Sequence, residues 1–504
     1  MSIEATSPTA PGTAFGAKRT TGETSPSTLP VAVIGAGPTG LAAAANLLER
    51  GLTPIVFEQG ESVGAAIRQW AHIRLFSPWQ YNIDPVSRRL LEPTGWTEPS
   101  QDTLPYGGEL VASYLEPLAA VPAIAKALHF NSTVTAVTRS GMDKTRTKNR
   151  DTQPFLVRVT GPGGTVDHLV RAVIDASGTW SQPNPLGQAG LLAPGEDAVS
   201  GFITTALPDV VGTERERFAG KTVMVVGAGH SAVNTLINLG VVAQTGPGTR
   251  ILWAVRSGGS TQRLYGGGDL DGLPARGALG SRLRTLVADG VVELVTNFTI
   301  TSLARNESRL SVGASTPDGA RTIEVDVLVP ATGFRPNLDM LRELRLELDP
   351  AVEAPRALGP LIDPEFHSCG TVPAHGADIL AHPEKDFYLV GMKSYGRAPT
   401  FLLATGYEQV RSVTAAIAGD TEAASRLQLQ LPETGACRTD LGSSGDTPPA
   451  AVADSGAAGG SGCGPATAGP ANGAAAAGCC SAPQLITVGF PTGTAHGRSG
   501  DPDY

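Results

Sequence analysis

A chain of 504 residues with a formal charge of −9 has room for two to four domains. Its charge and the lack of a basic stripe argue against a nucleic-acid partner. No apolar run approaches the roughly 18 residues of a membrane span, and five cysteines in so long a chain make no disulfide framework, so no membrane association and a cytoplasmic setting are expected. Residues 1–29, rich in Ser, Thr, Pro and Gly without the apolar core of a signal peptide, read as a disordered leader.

The first ordered stretch is VAVIGAGPTG, residues 31–40. Val31 to Ile34 is a short apolar run suited to a buried parallel strand. Gly35, Gly37 and Gly40 follow in G-x-G-x-x-G order around Pro38 and Thr39, and LAAAANLLER, residues 41–50, is built from helix formers. Strand, glycine turn and helix together form a dinucleotide-binding unit: Gly35 for the tight turn, Gly37 for close approach to a pyrophosphate, Gly40 for close packing. The helix N-terminus offers unpaired N–H groups to the phosphates. TPIVFEQ, residues 53–59, is the next strand, and Glu58, followed by Gln59, stands where an acid hydrogen-bonds a ribose 2′-OH.

Residues 61–84 are rich in aromatic and basic side chains, among them Trp70, Phe76, Trp79 and Tyr81. Residues 105–119 read as a helix ending near Pro122, and residues 129–175 as strands around a polar loop at 140–153. The strand in LVRAVIDASGTW, residues 169–180, runs into the small residues Ala176, Ser177 and Gly178, which leave room for a ligand. At residues 221–240 the opening pattern repeats: a strand at Val223–Val226, then Gly227, Gly229, His230, Ser231 and Ala232, then a helix. Its second strand, ILWAVRS, ends in Arg256 and Ser257 in place of an acid, and a guanidinium suits a 2′-phosphate, so this second site reads as one for NADPH. Residues 265–280 read as a glycine-rich loop, and VDVLVPATGFRPN, residues 325–337, as a strand with a second small-residue passage at Ala331, Thr332 and Gly333. Residues 385–420 give a strand, a turn at Gly391 and a long helix.

With both glycine turns and both small-residue passages in place, the chain over about residues 30–420 resembles the flavoproteins with two dinucleotide-binding domains, and within them the flavin-containing monooxygenases. The resemblance implies an α/β fold of two Rossmann-like domains. An FAD-binding domain in two parts, residues 30–205 and 325–420, would surround an NADPH-binding domain at 206–324. It implies FAD at Gly35, Gly37, Gly40 and Glu58, and NADPH at Gly227, Gly229, Ser231 and Arg256. Pro38, Thr39, Gln59, His230, Ser257, Thr332 and Gly333 join them as candidates, and Trp70 and Trp79, with Phe76 and Tyr81, would wall the isoalloxazine ring. The F-x-G-x-x-x-H signature of such monooxygenases is missing: residues 200–221 contain no His. LFSPWQYNID, PDVVG, GGGDLDGLPARG, HSCGTVPAHG and GMKSYGRAPTF resemble a subgroup, the monooxygenase-like proteins (ArsO) of actinobacterial arsenic-resistance operons. That implies arsenic detoxification as the setting.

A flavin between NADPH and a small-molecule substrate passes electrons either to O2 or to a thiol acceptor. The stretch expected to fold contains a single cysteine, Cys369, in HSCGTVPAHG beside His367 and His375, and so no C-x-x-C, which favours an oxygenase. Residues 421–504 read as a disordered tail holding Cys437, Cys463, Cys479 and Cys480. Cys479 and Cys480 are adjacent, and with Cys463 they make a candidate thiolate site for trivalent arsenic. About 60 Gly-rich residues span roughly 40–45 Å, enough to reach a flavin. The alternatives are therefore a thiol or metal-thiolate reductase working through the tail, with a redox protein partner, or a flavoprotein whose tail carries or senses arsenite.

Overall fold

The computed structural model describes residues 28–258, 264–265, 274–364, 372–398 and 401–429. The expected leader up to residue 27, the tail from residue 430 and all five cysteines, Cys369 included, lie outside the described residues, as does His367.

Two parallel sheets are built on one plan. The first runs β15-β7-β1-β2-β3, with β1 Val31–Ile34, β2 Pro54–Phe57, β3 Leu128–His129, β7 Ala172–Asp175 and β15 Phe387–Leu389. The second runs β10-β9-β8-β14, with β8 Thr222–Val226, β9 Arg250–Ala254, β10 Val292–Val295 and β14 Val327–Pro330. Each unit carries a three-stranded antiparallel sheet at the same point of its chain. In the first this is β4 Thr133–Arg139, β5 Phe155–Gly161 and β6 Gly164–Val170; in the second it is β11 Thr299–Asn306, β12 Arg309–Thr316 and β13 Gly319–Val325. β1 is flanked in parallel by β2 and β7 and covered on both faces, which is why all four of its residues are apolar and buried. Helix Pro38–Glu49 packs against helix Leu403–Ala418. The run Ala42–Ala45 is fully buried, its small side chains allowing that approach.

Because β15 follows the whole second unit and pairs with β7, the second unit is inserted into the first, as expected. The boundaries differ from the sequence reading. β14, assigned there to the second part of the FAD domain, pairs in parallel with β8 and so belongs to the inserted unit. Leu186, Val199 and Ile203 pack with Met224, Leu252 and Leu328 of that unit, although they precede residue 206. The two units join where the chain crosses itself. Asn184 N–H donates to Gly333 O at 2.9 Å, Arg335 N–H to Gln182 O at 2.9 Å and Thr332 Oγ1 to Asn184 O at 2.7 Å.

Two local readings also change. Residues from Pro274 onward form a helix, Pro274–Ala288, not a loop; proline at the first helical position and the Ala, Leu and Arg that follow favour it. Residues 107–120 are helical with a π turn at Val111–Leu115. Pro117 has no N–H to give the Ser113 carbonyl, and the Trp96 indole donates to that oxygen at 2.7 Å instead.

Asp84 caps helix Pro85–Leu91, accepting from Ser87 N–H at 2.7 Å and from Ser87 Oγ at 2.9 Å. Burial pushes its carboxyl up to about 6 against the pull of those hydrogen bonds. Between about pH 4 and 6 the folded state therefore holds the proton that the unfolded chain has released. Stability falls as pH rises through that window and stays lower above it, by about 2–3 kcal/mol. Asp84→Asn keeps a capping acceptor without the charge. It is expected to be more stable than wild type at pH 8, with the advantage gone near pH 4. Thermal melts of both proteins across pH 4–8 check this, and a pH-independent difference refutes it. Burial depresses His382 to about 4, which acts with the opposite sign in the same window and cancels in the comparison.

Candidate cofactor and active site

The first glycine turn leaves β1 with Gly35 at φ +97°, where a Cβ would stand 2.9 Å from Ala176 O. The small-residue passage after β7 is thus the wall of this turn. A Cβ on Gly40 would lie 1.9 Å from Gly35 O, so Gly40 lets the helix close onto the turn. At Gly37 a Cβ would meet nothing within 4 Å: the space in front of it is open. The helix that begins at Pro38 has no side-chain cap and no acid in its first turn, leaving its N-terminal N–H groups to an anion. Glu58 is buried, accepting from Ala36 N–H at 2.7 Å and Gly60 N–H at 2.8 Å. These bonds tie the end of β2 to the turn and leave the carboxylate further lone pairs for a ribose hydroxyl.

The second turn repeats this. Gly227 has φ +128°, and a Cβ there would stand 2.1 Å from Ala331 O, so the second small-residue passage walls the second turn. Gly229 faces open space. The Trp253 indole, fully buried on β9, donates to Gly227 O at 2.7 Å and fixes the turn from below. Arg256 and Ser257 are exposed just beyond β9.

One cavity of about 580 Å³ joins the two. Gly35, Gly37, Pro38, Thr39, Glu58 and Gln59 line it from the first unit, and His230, Ser231 and Asn234 line it from the start of the second unit's helix His230–Thr245. Trp70, Phe76 and Trp180 add aromatic walls. The Phe76 and His230 rings lie 5.3 Å apart, and Trp180 Nε1 donates to Gln69 Oε1 at 2.9 Å.

The sequence matches the family described as pyridine nucleotide-disulphide oxidoreductase over residues 32–356. The chain belongs to this family. It is 28% identical to a ferredoxin–NADP reductase of Rhodospirillum rubrum over 39% of this chain and 50% of that protein. It is 26% identical to an indole-3-pyruvate monooxygenase of Arabidopsis thaliana over 41% of this chain and 44% of that protein. The chain thus spans about half the length of these curated relatives. A bacillithiol disulfide reductase of Bacillus cereus superposes with a TM-score of 0.57 at 18% identity, over 78% of this chain and 99% of the other, which shows the shared fold.

The cofactors of this family are FAD and NADP(H). The residues present fit them, because both turns keep open space at the middle glycine, where a phosphate comes closest. The structure brings nine of the seventeen expected cofactor residues to one cavity. Trp79 does not wall it: the side chain is 4% exposed and packs in the core of the first unit, because it sits on a 3₁₀ turn whose inward face meets that core. Gly40, Gly227, Gly229, Arg256, Ser257, Thr332 and Gly333 lie off the cavity wall, and the Thr332 hydroxyl is engaged at the crossing of the two units. Among the described residues no group of three or more His, Cys, Asp or Glu could hold a metal ion, and Cys463, Cys479 and Cys480 lie outside them. No helix among the described residues is long and apolar enough to cross a membrane.

The sequence reading passed over Asp175, Trp180 and Lys393, while Ser177 was expected in the small-residue passage and lines the cavity. Asp175 had a signal, an acid at the end of an apolar strand followed by a small-residue turn. Lys393 had none.

Proposed function

We propose that this oxidoreductase takes electrons from NADPH through FAD to O2 and oxygenates a small-molecule substrate, with trivalent arsenic as the candidate. The observation that carries this reading is the cavity wall. It runs from the first glycine turn to the start of the second unit's helix and presents aromatic, hydroxyl and amide groups, and the sequence holds no C-x-x-C pair. A disulfide acceptor needs a thiol beside the flavin; an oxygenase needs a site that excludes water. Within it the first turn holds the FAD pyrophosphate on helix N–H groups, Glu58 holds the ribose, and Trp70, Phe76 and Trp180 shield the ring. FAD, when bound, supplies the two-electron transfer between NADPH and the acceptor. The arsenic assignment rests on the resemblance of LFSPWQYNID, HSCGTVPAHG and GMKSYGRAPTF to the proteins of arsenic-resistance operons.

The balanced reaction is arsenite, O2, NADPH and a proton giving arsenate, water and NADP+. Protein reduced by NADPH without oxygen is then mixed with oxygen, with and without arsenite. Faster reoxidation with arsenite, and arsenate formed in step with the NADPH used, is the expected result. Peroxide release unaffected by arsenite would overturn it. A chain ending at residue 429 lacks all four tail cysteines. It is expected to keep the arsenite-dependent rate, and loss of that rate would move the chemistry to the tail thiols.

A further inference from the structure

Lys393 is a buried ammonium on the cavity wall. Arg74 and Lys393 are the cationic side chains among the lining residues; Arg74 is exposed, whereas the Lys393 side chain is 1% exposed. Lys393 Nζ donates to Asp175 Oδ2 at 2.7 Å and to Ser177 Oγ at 3.0 Å, and Ser177 Oγ donates to Asp175 Oδ1 at 2.7 Å. Two of the three N–H bonds of the ammonium are thereby assigned.

The turn that carries it, Gly391–Tyr395, is braced from behind. Gly391 N–H donates to Gln409 Oε1 at 2.7 Å, and Gln409 Nε2 donates to Ser394 Oγ and to His375 Nε2, each at 2.9 Å. A Cβ on Gly391 would stand 2.9 Å from Thr39 Oγ1, and the carbonyl of Ala176, between Asp175 and Ser177, walls Gly35. The ammonium is therefore held by the segments that enclose the first glycine turn. The start of helix Leu403–Ala418 opens on the same cavity through Leu402 and Leu403, with no side-chain cap and no acid in its first turn. A buried ion pair adds little stability over apolar residues of similar volume. One braced on a cofactor wall, beside a helix N-terminus of matching sign, has an electrostatic task there.

We propose that Lys393 stabilises the negative charge that the FAD ring gains on reduction, with Asp175 and Ser177 as its positioning residues. NADPH gives up two electrons and one proton and leaves as NADP+, so the ring gains one negative charge. The inference rests on FAD as the bound flavin and is independent of the final acceptor.

The test is a redox titration of FAD-loaded wild type, Lys393→Arg, Asp175→Asn and the charge-neutral double variant Lys393→Met/Asp175→Asn, with the affinity for oxidised FAD measured on each. The double variant is expected to lose ten- to a hundredfold of its preference for the reduced form, a midpoint about 30–60 mV lower. Lys393→Arg should stay within threefold of wild type. Asp175→Asn, which removes the opposing carboxylate, should move the midpoint upward. An unchanged midpoint in the double variant with full FAD content would make the pair purely structural and overturn the proposal. So would an unchanged midpoint with tenfold weaker binding of oxidised FAD, which would assign the ammonium to the pyrophosphate. Wild-type protein that retains no FAD would overturn the cofactor assignment itself, and the proposal with it.

Discussion

Gly37→Val is expected to fold normally and to lose FAD. Gly37 has an ordinary φ of −81°, and an added Cβ would meet nothing within 4 Å, so no protein atom opposes that first carbon. Its isopropyl group would occupy the space in front of the helix N-terminus, where the pyrophosphate must approach. At least two charge-assisted hydrogen bonds are then lost at ~1.5–3 kcal/mol each, a fall in FAD affinity of roughly a hundredfold or more. Purified Gly37→Val should be colourless, with a melting temperature matching that of the wild-type apoprotein. Gly40→Val is the contrast, since its Cβ would lie 1.9 Å from Gly35 O and the helix could not close. If Gly37→Val retains FAD, the first turn is not the pyrophosphate site.

Arg256→Glu is expected to turn the second site against NADPH. The residue is exposed just past β9, the position that meets the adenosine ribose in a unit of this plan. Removing a guanidinium from a phosphate forfeits about 1.5–3 kcal/mol, and a carboxylate in its place adds repulsion, so kcat/KM for NADPH should drop by roughly 10²-fold or more. NADH carries no 2′-phosphate and should change only a few-fold. Steady-state rates with both nucleotides decide this, and equal losses would remove Arg256 from the nucleotide site.

These predictions rest on residues that were legible in the sequence, because the signals were local. A glycine turn needs positive φ or a close approach within a few residues, and it leaves G-x-G-x-x-G in the chain whatever the tertiary context. Gly35 and Gly227 confirm this, at φ +97° and +128°. What the sequence hid was long-range. Trp79 reads the same as Trp70 in an aromatic stretch, and only packing puts one in the core and the other on the cavity. Lys393 meets Asp175 across more than two hundred residues, and no spacing rule links them. The unit boundaries shifted for the same reason: Val327–Pro330 is a strand by composition, but its partner, Thr222–Val226, is a matter of topology.

The late arrival of β15 has a consequence for biosynthesis. Every strand of the inserted unit lies between Thr222 and Pro330, so its sheet is complete before the remainder of the chain leaves the ribosome. The outer unit cannot finish. β7, apolar and buried in the native fold, emerges with Asp175 and stays an open strand edge until Phe387–Leu389 are made. An unpaired edge of that kind is a template for pairing between nascent chains. Slow translation anywhere between Asp175 and Phe387 prolongs that exposure, and chaperone capture of ribosome-bound chains should concentrate in that interval.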